Sequence, residues 1–373
     1  MSTPEANDIL ECAYQRVLKC ASPIPPQQSD RWLDVILKYS ENNKGVLSVC
    51  MTLILKKIMS PKQDIRKHQA GMQDGFSARG LDTSHVTPFL RKYKFPYMAS
   101  GAGALTRSLE QASPYDLNYP GKISPAVVRD AFLQCVDCIQ NKNINANDAL
   151  CYLLNGLVKY RKRNESVKLE NPDGLPIVSI VQNIETHFTM ASRGGSHLPV
   201  LAIYAIYKQM VAEMEKYKNC SLCELQAHTS PDAKSGFLGD VQINDSKGNP
   251  IEAVEIKHGI QLTPDLVTAC YEKFKTVKSI RTYYLLSTRE DLEHMDKIKE
   301  IILYIHQNHG CQMIVNGISS TLRYYLRMVN SVDIFMNNYV ELVEQECNYD
   351  IKMQWKSICE KTHSSAQPNE RER

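Results

Sequence analysis

Two short apolar segments, held apart by a run of turn-forming residues, constrain this chain more than any other feature. Gly239-Asp240-Val241-Gln242-Ile243 and Ala253-Val254-Glu255-Ile256-Lys257-His258 flank Asn244-Asp245-Ser246-Lys247-Gly248-Asn249-Pro250. Apolar and polar residues alternate in both segments at the two-residue period of a β-strand. The Asn, Asp, Gly and Pro residues between them favour turns. The spacing predicts a pair of strands with Asp240 at the start of the first. Glu255 and Lys257, two apart, leave the same face of the second. An Asp, a Glu and a Lys converging on one sheet edge suit a particular chemistry. Carboxylate oxygens hold a hard cation such as Mg²⁺, and a nearby ammonium orients a water or offsets developing negative charge. A half-exposed hairpin with a solvated Glu-x-Lys pair shows the same alternation, so the flanking sequence has to decide between them.

Before the pair, periodicity predicts helices over 4–21 and 28–58, then over roughly 124–140 and 147–160. Ser124 and Pro125 supply a helix start for the third. Residues 60–121 are polar, Gly-rich and irregular, but Phe89, Tyr93, Phe95, Tyr97, Tyr115 and Tyr119 argue for an ordered segment. The polar run 164–174, with Pro172-Asp173-Gly174, is a natural boundary. Beyond it come helices over 177–190 and 196–216, the two strands, a helix at 263–276, a strand at 281–287, a helix at 289–308 and a strand at 311–315. The expected fold class is therefore α/β (α+β): a mixed central sheet flanked by helices, preceded by a mainly helical N-terminal domain. The expected domains are 1–174 and 175–361, with 362–373 a disordered tail.

This element order, with Asp240 and Glu255-Ile256-Lys257 on its first two strands, resembles the core of the PD-(D/E)xK nuclease superfamily. Residues 193–287 are also similar to the nuclease part of restriction proteins that accompany cytosine-5 DNA methyltransferases. That similarity lies in Gly195-Ser196-His197-Leu198-Pro199-Val200-Leu201-Ala202-Ile203-Tyr204, Gly239-Asp240-Val241, Ala253 to Gly259, and Tyr283-Tyr284-Leu285-Leu286-Ser287-Thr288. One departure is Gly239, where the superfamily pattern has Pro. The resemblance implies a type II restriction endonuclease: Mg²⁺-dependent cleavage of double-stranded DNA at a short sequence, by a homodimer whose host DNA is protected by a cognate DNA methyltransferase. Asp240 and Glu255 would hold the metal, and Lys257 would position the attacking water. Such cores often add a carboxylate from the helix before the first strand, for which Glu213 is the candidate. The polar loop upstream of Asp240 offers Asp232 as a further acid, with Lys234 and Ser235 near a phosphate or base. His258 points to the opposite face and reads as a packing residue.

Charge and composition agree with this division. Residues 1–180 hold 23 Lys and Arg against 17 Asp and Glu, and residues 181–373 hold 21 against 24. A basic half suits a polyanion, and an acidic one suits cations. In the basic half, Arg79 and Arg107 lie in Gly-flanked loops from which a guanidinium reaches a guanine edge. Lys92, Lys94, Lys159, Arg161, Lys162 and Arg163 are candidate phosphate contacts. The 12 cysteines fall mostly in apolar segments, as buried thiols do. The Cys135–Cys138 spacing lies within a helical stretch without the turn a zinc knuckle needs. No apolar run reaches membrane-spanning length, and Met1-Ser2-Thr3-Pro4-Glu5 opens without an apolar signal core, so a cytoplasmic protein is expected. Two rival readings stay open at this point: a modification-dependent or structure-specific nuclease, and a non-catalytic helical DNA-binding protein with an accidental Glu-x-Lys.

Overall fold

In the computed structural model the chain divides between Ser166 and Val167 into two units. The residues described are 5–19, 30–98, 102–141, 144–190, 195–225, 236–291, 294–346 and 348–366. The first unit is built on α3 (Lys44–Met59), in which every residue from Gly45 to Leu55 is buried. A helix that is apolar all round has to be surrounded. Around it stand α1 (Ala6–Lys19), α2 (Asp30–Lys38), α6 (Ala126–Asn141) and α7 (Ala146–Glu165). Asn145 caps α7 by accepting from the backbone N–H groups of Asn147 and Asp148. The helix expected over 28–58 is two helices, because Ser40-Glu41-Asn42-Asn43 has no apolar residue to continue the buried face.

The irregular stretch after α3 contains short helical pieces: α4 (Ala78–Leu81), a π-helical turn (Asp82–Val86), α5 (Thr87–Lys92) and a 3-10 turn (Gly103–Leu105). Its aromatics account for its order: Phe89, Phe95, Tyr115 and Tyr119 are buried in the core of the unit. Asp82 fastens it further. Its fully buried carboxylate accepts from Ser48 Oγ (2.6 Å), Thr87 Oγ1 (2.8 Å) and the Gly103 N–H (2.7 Å). A buried carboxylate surrounded by donors in this way ties three distant segments together.

The second unit is a mixed five-stranded sheet between two layers of helices. Its strands are β1 (Ser221–Leu222), β2 (Val241–Asn244), β3 (Pro250–Lys257), β4 (Thr282–Ser287) and β5 (Gln312–Gly317), ordered 1-2-3-4-5. β2 is antiparallel to both neighbours, and β3, β4 and β5 run parallel. One face carries Val241, Ile243, Val254, Ile256, Tyr284 and Leu286. It packs against α8 (Ile177–Met190), α9 (Leu198–Glu213), α12 (Ile318–Leu326), α13 (Val332–Glu346) and α14 (Tyr349–Ala366). The other carries Ala253, Tyr283, Leu285 and Met313 against α10 (Pro264–Phe274) and α11 (Met295–His309). The two-residue β1 has too few residues for a periodic signal, and it was not among the strands expected. The first residues of the tail expected from Thr362 are helical: α14 continues to Ala366, and Thr362 Oγ1 donates to Asn183 Oδ1 at 3.1 Å.

Candidate active site

The hairpin turn sets the register that assembles the site. Asp245 Oδ1 accepts from the N–H groups of Lys247 and Asn249, both at 2.9 Å, and Gly248 takes the left-handed φ of 82° that this turn requires. With the turn closed, Val241 lies opposite Val254 and Gln242 opposite Ala253. One step further along the antiparallel pair, Asp240 falls opposite Glu255. Both then lie on the sheet face covered by α10, beside the C-terminal ends of the parallel strands, where open α/β sheets place their ligand crevices. Gly239 is required by the same approach. A Cβ there would stand 2.6 Å from the Val254 carbonyl oxygen, so neither Pro nor any other residue with a side chain fits without moving β3.

Asp240 Oδ2 accepts from the Ile256 N–H at 2.7 Å. The carboxyl keeps contact with solvent, yet the protein packed around it and the charge of Glu255 push its pKa up to about 6. Glu255 is 5 % exposed, and both its oxygens are taken. Lys257 Nζ lies 2.5 Å from Oε1, and Lys273 Nζ lies 2.9 Å from Oε2. A buried carboxylate is tolerated only when paired and hydrogen-bonded, and this one has two ammoniums. Lys273 comes from the last turn of α10 and was not foreseen. It follows Val267 and Cys270 and precedes Phe274, the residues that make the buried stripe of that helix. A lysine beside an apolar stripe carries no local sign of a partner eighteen residues away.

The remaining candidates are placed differently. Glu213 is not brought to the pair. It ends α9, which packs on the opposite face of the sheet, and its oxygens accept from Gln209 Nε2 (2.7 Å) and the Asn330 N–H (2.9 Å). The bond from the Asn330 N–H sets Glu213 at the turn before α13. Asp232, Lys234 and Ser235 lie outside the described residues. His258 packs edge-on against Phe188 and meets Thr288 Oγ1, as a packing residue does.

In the first unit, Arg79 sits on the short helix α4 rather than in a loop, and is exposed, as are Arg107 and Arg163. Arg161 is engaged inside its own unit. Its guanidinium donates to the Tyr93 carbonyl (3.0 Å) and the Tyr14 hydroxyl (3.1 Å) and lies over the Phe95 ring. Lys92 is bonded to Glu11 at 2.6 Å. The basic run at the end of α7 thus serves internal packing at Arg161. A helix-end cluster read only for its charge hides that role.

Among the described residues, no group of three or more His, Cys, Asp or Glu side chains converges in a way that could hold a metal. Mg²⁺ keeps several waters and commonly binds through one or two carboxylates together with substrate phosphate oxygens. Asp240 beside Glu255 offers two carboxylates of that kind, and burial first and the charge of Glu255 second raise the pKa of Asp240. The donor set therefore fits a hard divalent ion. No helix among the described residues is long and apolar enough to cross a membrane. Compared with known proteins, the chain matches no family model and no curated sequence.

Proposed function

We propose that the chain is a type II restriction endonuclease of the PD-(D/E)xK superfamily, hydrolysing phosphodiester bonds of double-stranded DNA at a short sequence with Mg²⁺. The observation that carries this reading is Asp240 opposite Glu255, with Lys257 on the neighbouring position of the same face. Asp240 and Glu255 would hold the ion, which when bound lowers the pKa of a water and offsets charge on the phosphate. Lys257 holds and orients the attacking water, whose oxygen bonds to phosphorus as the bond to the leaving ester oxygen breaks. The strand order supports the reading as well, because the site lies where β3 ends and α10 returns over it.

The exposed Arg79, Arg107 and Arg163 of the basic first unit are the DNA contacts we propose, while Arg161 is bonded to Tyr93 and Tyr14 within that unit. A palindromic site would be cut by a homodimer, with a cognate methyltransferase protecting the host's DNA in the cytoplasm. The test is digestion of a panel of unmodified and methylated plasmid and phage DNAs with Mg²⁺. Discrete, reproducible fragments from unmodified DNA support the proposal. Cleavage only of methylated or branched DNA would replace it with a modification-dependent or structure-specific nuclease. No cleavage of any DNA would leave the helical DNA-binding reading.

A further inference from the structure

The chain reaches Asp240 through a residue whose two backbone groups are both held by side chains. The Leu238 carbonyl accepts from the Tyr283 hydroxyl at 2.7 Å, and the Leu238 N–H donates to Gln242 Oε1 at 3.0 Å. Resting on the nuclease reading above, we propose that Tyr283 and Gln242 are positioning residues of the cation site. By fixing Leu238 they hold Asp240 beside Glu255, and so set the affinity of the site for its divalent ion.

Register puts both side chains where they can do this. Gln242 lies opposite Ala253 on β3, and Ala253 lies opposite Tyr283 on β4. The three form a row across adjacent strands, on the face that carries Glu255 and is covered by α10. Ala253 is buried and has only a methyl group, which leaves space over β3 for the tyrosine hydroxyl to reach backbone beyond that strand. Phe274 of α10 stacks on the Tyr283 ring, with centroids 4.6 Å apart and planes 24° from parallel, and so fixes its direction. Gln242 is buried as well, and its Nε2 donates to Asn244 Oδ1 at 2.9 Å, which settles its orientation. Burial first, then the Cys270 thiol and the charge of Glu255, raise the pKa of Tyr283 far above its ordinary value, so the hydroxyl stays a donor.

What this hold opposes is repulsion. Two carboxylates brought together repel each other, and of the two Asp240 is the one able to retreat. Glu255 lies within β3, whereas Asp240 precedes the first residue of β2. The bond from the Ile256 N–H to Asp240 Oδ2 forms only while the backbone before β2 keeps its place. Gly239 permits that close approach to Val254, and the two bonds to Leu238 maintain it. A site arranged in advance loses no binding free energy to gathering its ligands, and partners that act behind a ligand tune metal affinity for this reason.

The test measures Mn²⁺ binding without DNA, with Asp240→Asn as the blank for weak surface sites, and the rate of phage DNA cleavage as Mn²⁺ is titrated. Tyr283→Phe keeps the ring on Phe274 and removes the hydroxyl. Gln242→Met keeps the length of the side chain and removes the acceptor. Each is expected to raise the Mn²⁺ dissociation constant, and the Mn²⁺ midpoint of cleavage, about five- to tenfold. At saturating Mn²⁺ kcat should stay within about twofold of wild type with KM for DNA unchanged, because the carboxylates still close on an abundant ion. Cys270→Ala, which removes the other neighbour of the hydroxyl, should leave the midpoint where it is. Side chains that only satisfied a buried backbone would lower the unfolding temperature and leave the Mn²⁺ constant unchanged, and that result overturns the proposal. So does a loss of kcat that saturating Mn²⁺ does not restore, or a shift in Cys270→Ala as large as in Tyr283→Phe. If Tyr283→Phe fails to fold, Gln242→Met decides the matter. A wild-type protein that binds no Mn²⁺ and cleaves no DNA would instead sink the nuclease reading, and this proposal with it.

Discussion

Two glutamates three residues apart on β3 face opposite sides of the same sheet, and both are buried. Glu252, 3 % exposed, accepts from the Tyr207 and Tyr217 hydroxyls at Oε1 and from Lys216 Nζ at Oε2, each at 2.8 Å. Burial, together with the charge of Glu252, raises both tyrosine hydroxyls above their ordinary range, so they remain donors. Glu255 has two ammoniums and a second carboxylate opposite it. The first network is closed: neutral donors and one lysine use up a single charge. The second concentrates four charges beside solvent, two carboxylates and two ammoniums. Burial and pairing are common to both, so neither distinguishes a site from a fastening. The accumulation of charge on one side does.

That contrast can be broken by substitution. Glu255→Gln is expected to lower the rate of DNA cleavage by at least about a hundredfold, with an unfolding temperature close to wild type. Glu252→Ala should do the reverse. It strands two buried tyrosine hydroxyls and should lower stability by about 3 kcal/mol, read by chemical unfolding, while the folded fraction still cuts. If both variants lose activity with stability intact, the two faces are not distinct in role.

The faces also differ in their response to pH. On the side of Glu252, the buried ring of His187 lies between the Tyr339 hydroxyl (2.9 Å) and the Ile351 carbonyl (3.1 Å). Burial lowers its pKa to about 4. The unfolded chain binds the proton first, so stability should fall as pH drops from about 6.5 toward 4, by up to about 3 kcal/mol. His187→Gln should flatten this slope in acid unfolding curves; an unchanged slope would show that other groups set it. On the side of Glu255 the sign is opposite. Asp240 is raised to about 6, so the folded, metal-free protein holds this proton more tightly, and stability falls as pH rises through about 6. Asp240→Asn, which keeps an acceptor for Ile256, should therefore stabilise the metal-free protein at pH 8. After discounting for its solvent contact the gain is about 1 kcal/mol, and it should vanish below about pH 4. Equal gains at both pH values would contradict the assignment.

Much of this was legible in the chain because it rests on local pattern. The alternation at 241–243 and 253–257, and Asp245 and Gly248 in the turn, specify a hairpin and its register. Register alone places Asp240 opposite Glu255. Asn145 and Thr263 announce the starts of their helices by capping them. Less legible were the partners made across sequence. Lys273 looks like any lysine at the end of a helix, and Arg161 like any member of a basic run, until tertiary packing supplies Glu255 for one and Tyr14, Tyr93 and Phe95 for the other. Glu213 shows the same limit from the other side. Its place on the helix before the hairpin is readable, but which surface α9 meets depends on the order of layers in the whole unit.

The proposed function requires Asp240 and Glu255 to hold the cation on which DNA cleavage depends. Its most direct test is the initial rate of cleavage of one plasmid as Mg²⁺ is titrated, for wild type and Asp240→Asn side by side. The account predicts a saturable rise for wild type, no cleavage in EDTA, and for Asp240→Asn a rate at least about a hundredfold lower at every Mg²⁺ concentration. Equal rates for the two proteins, or cleavage that persists in EDTA, would contradict it.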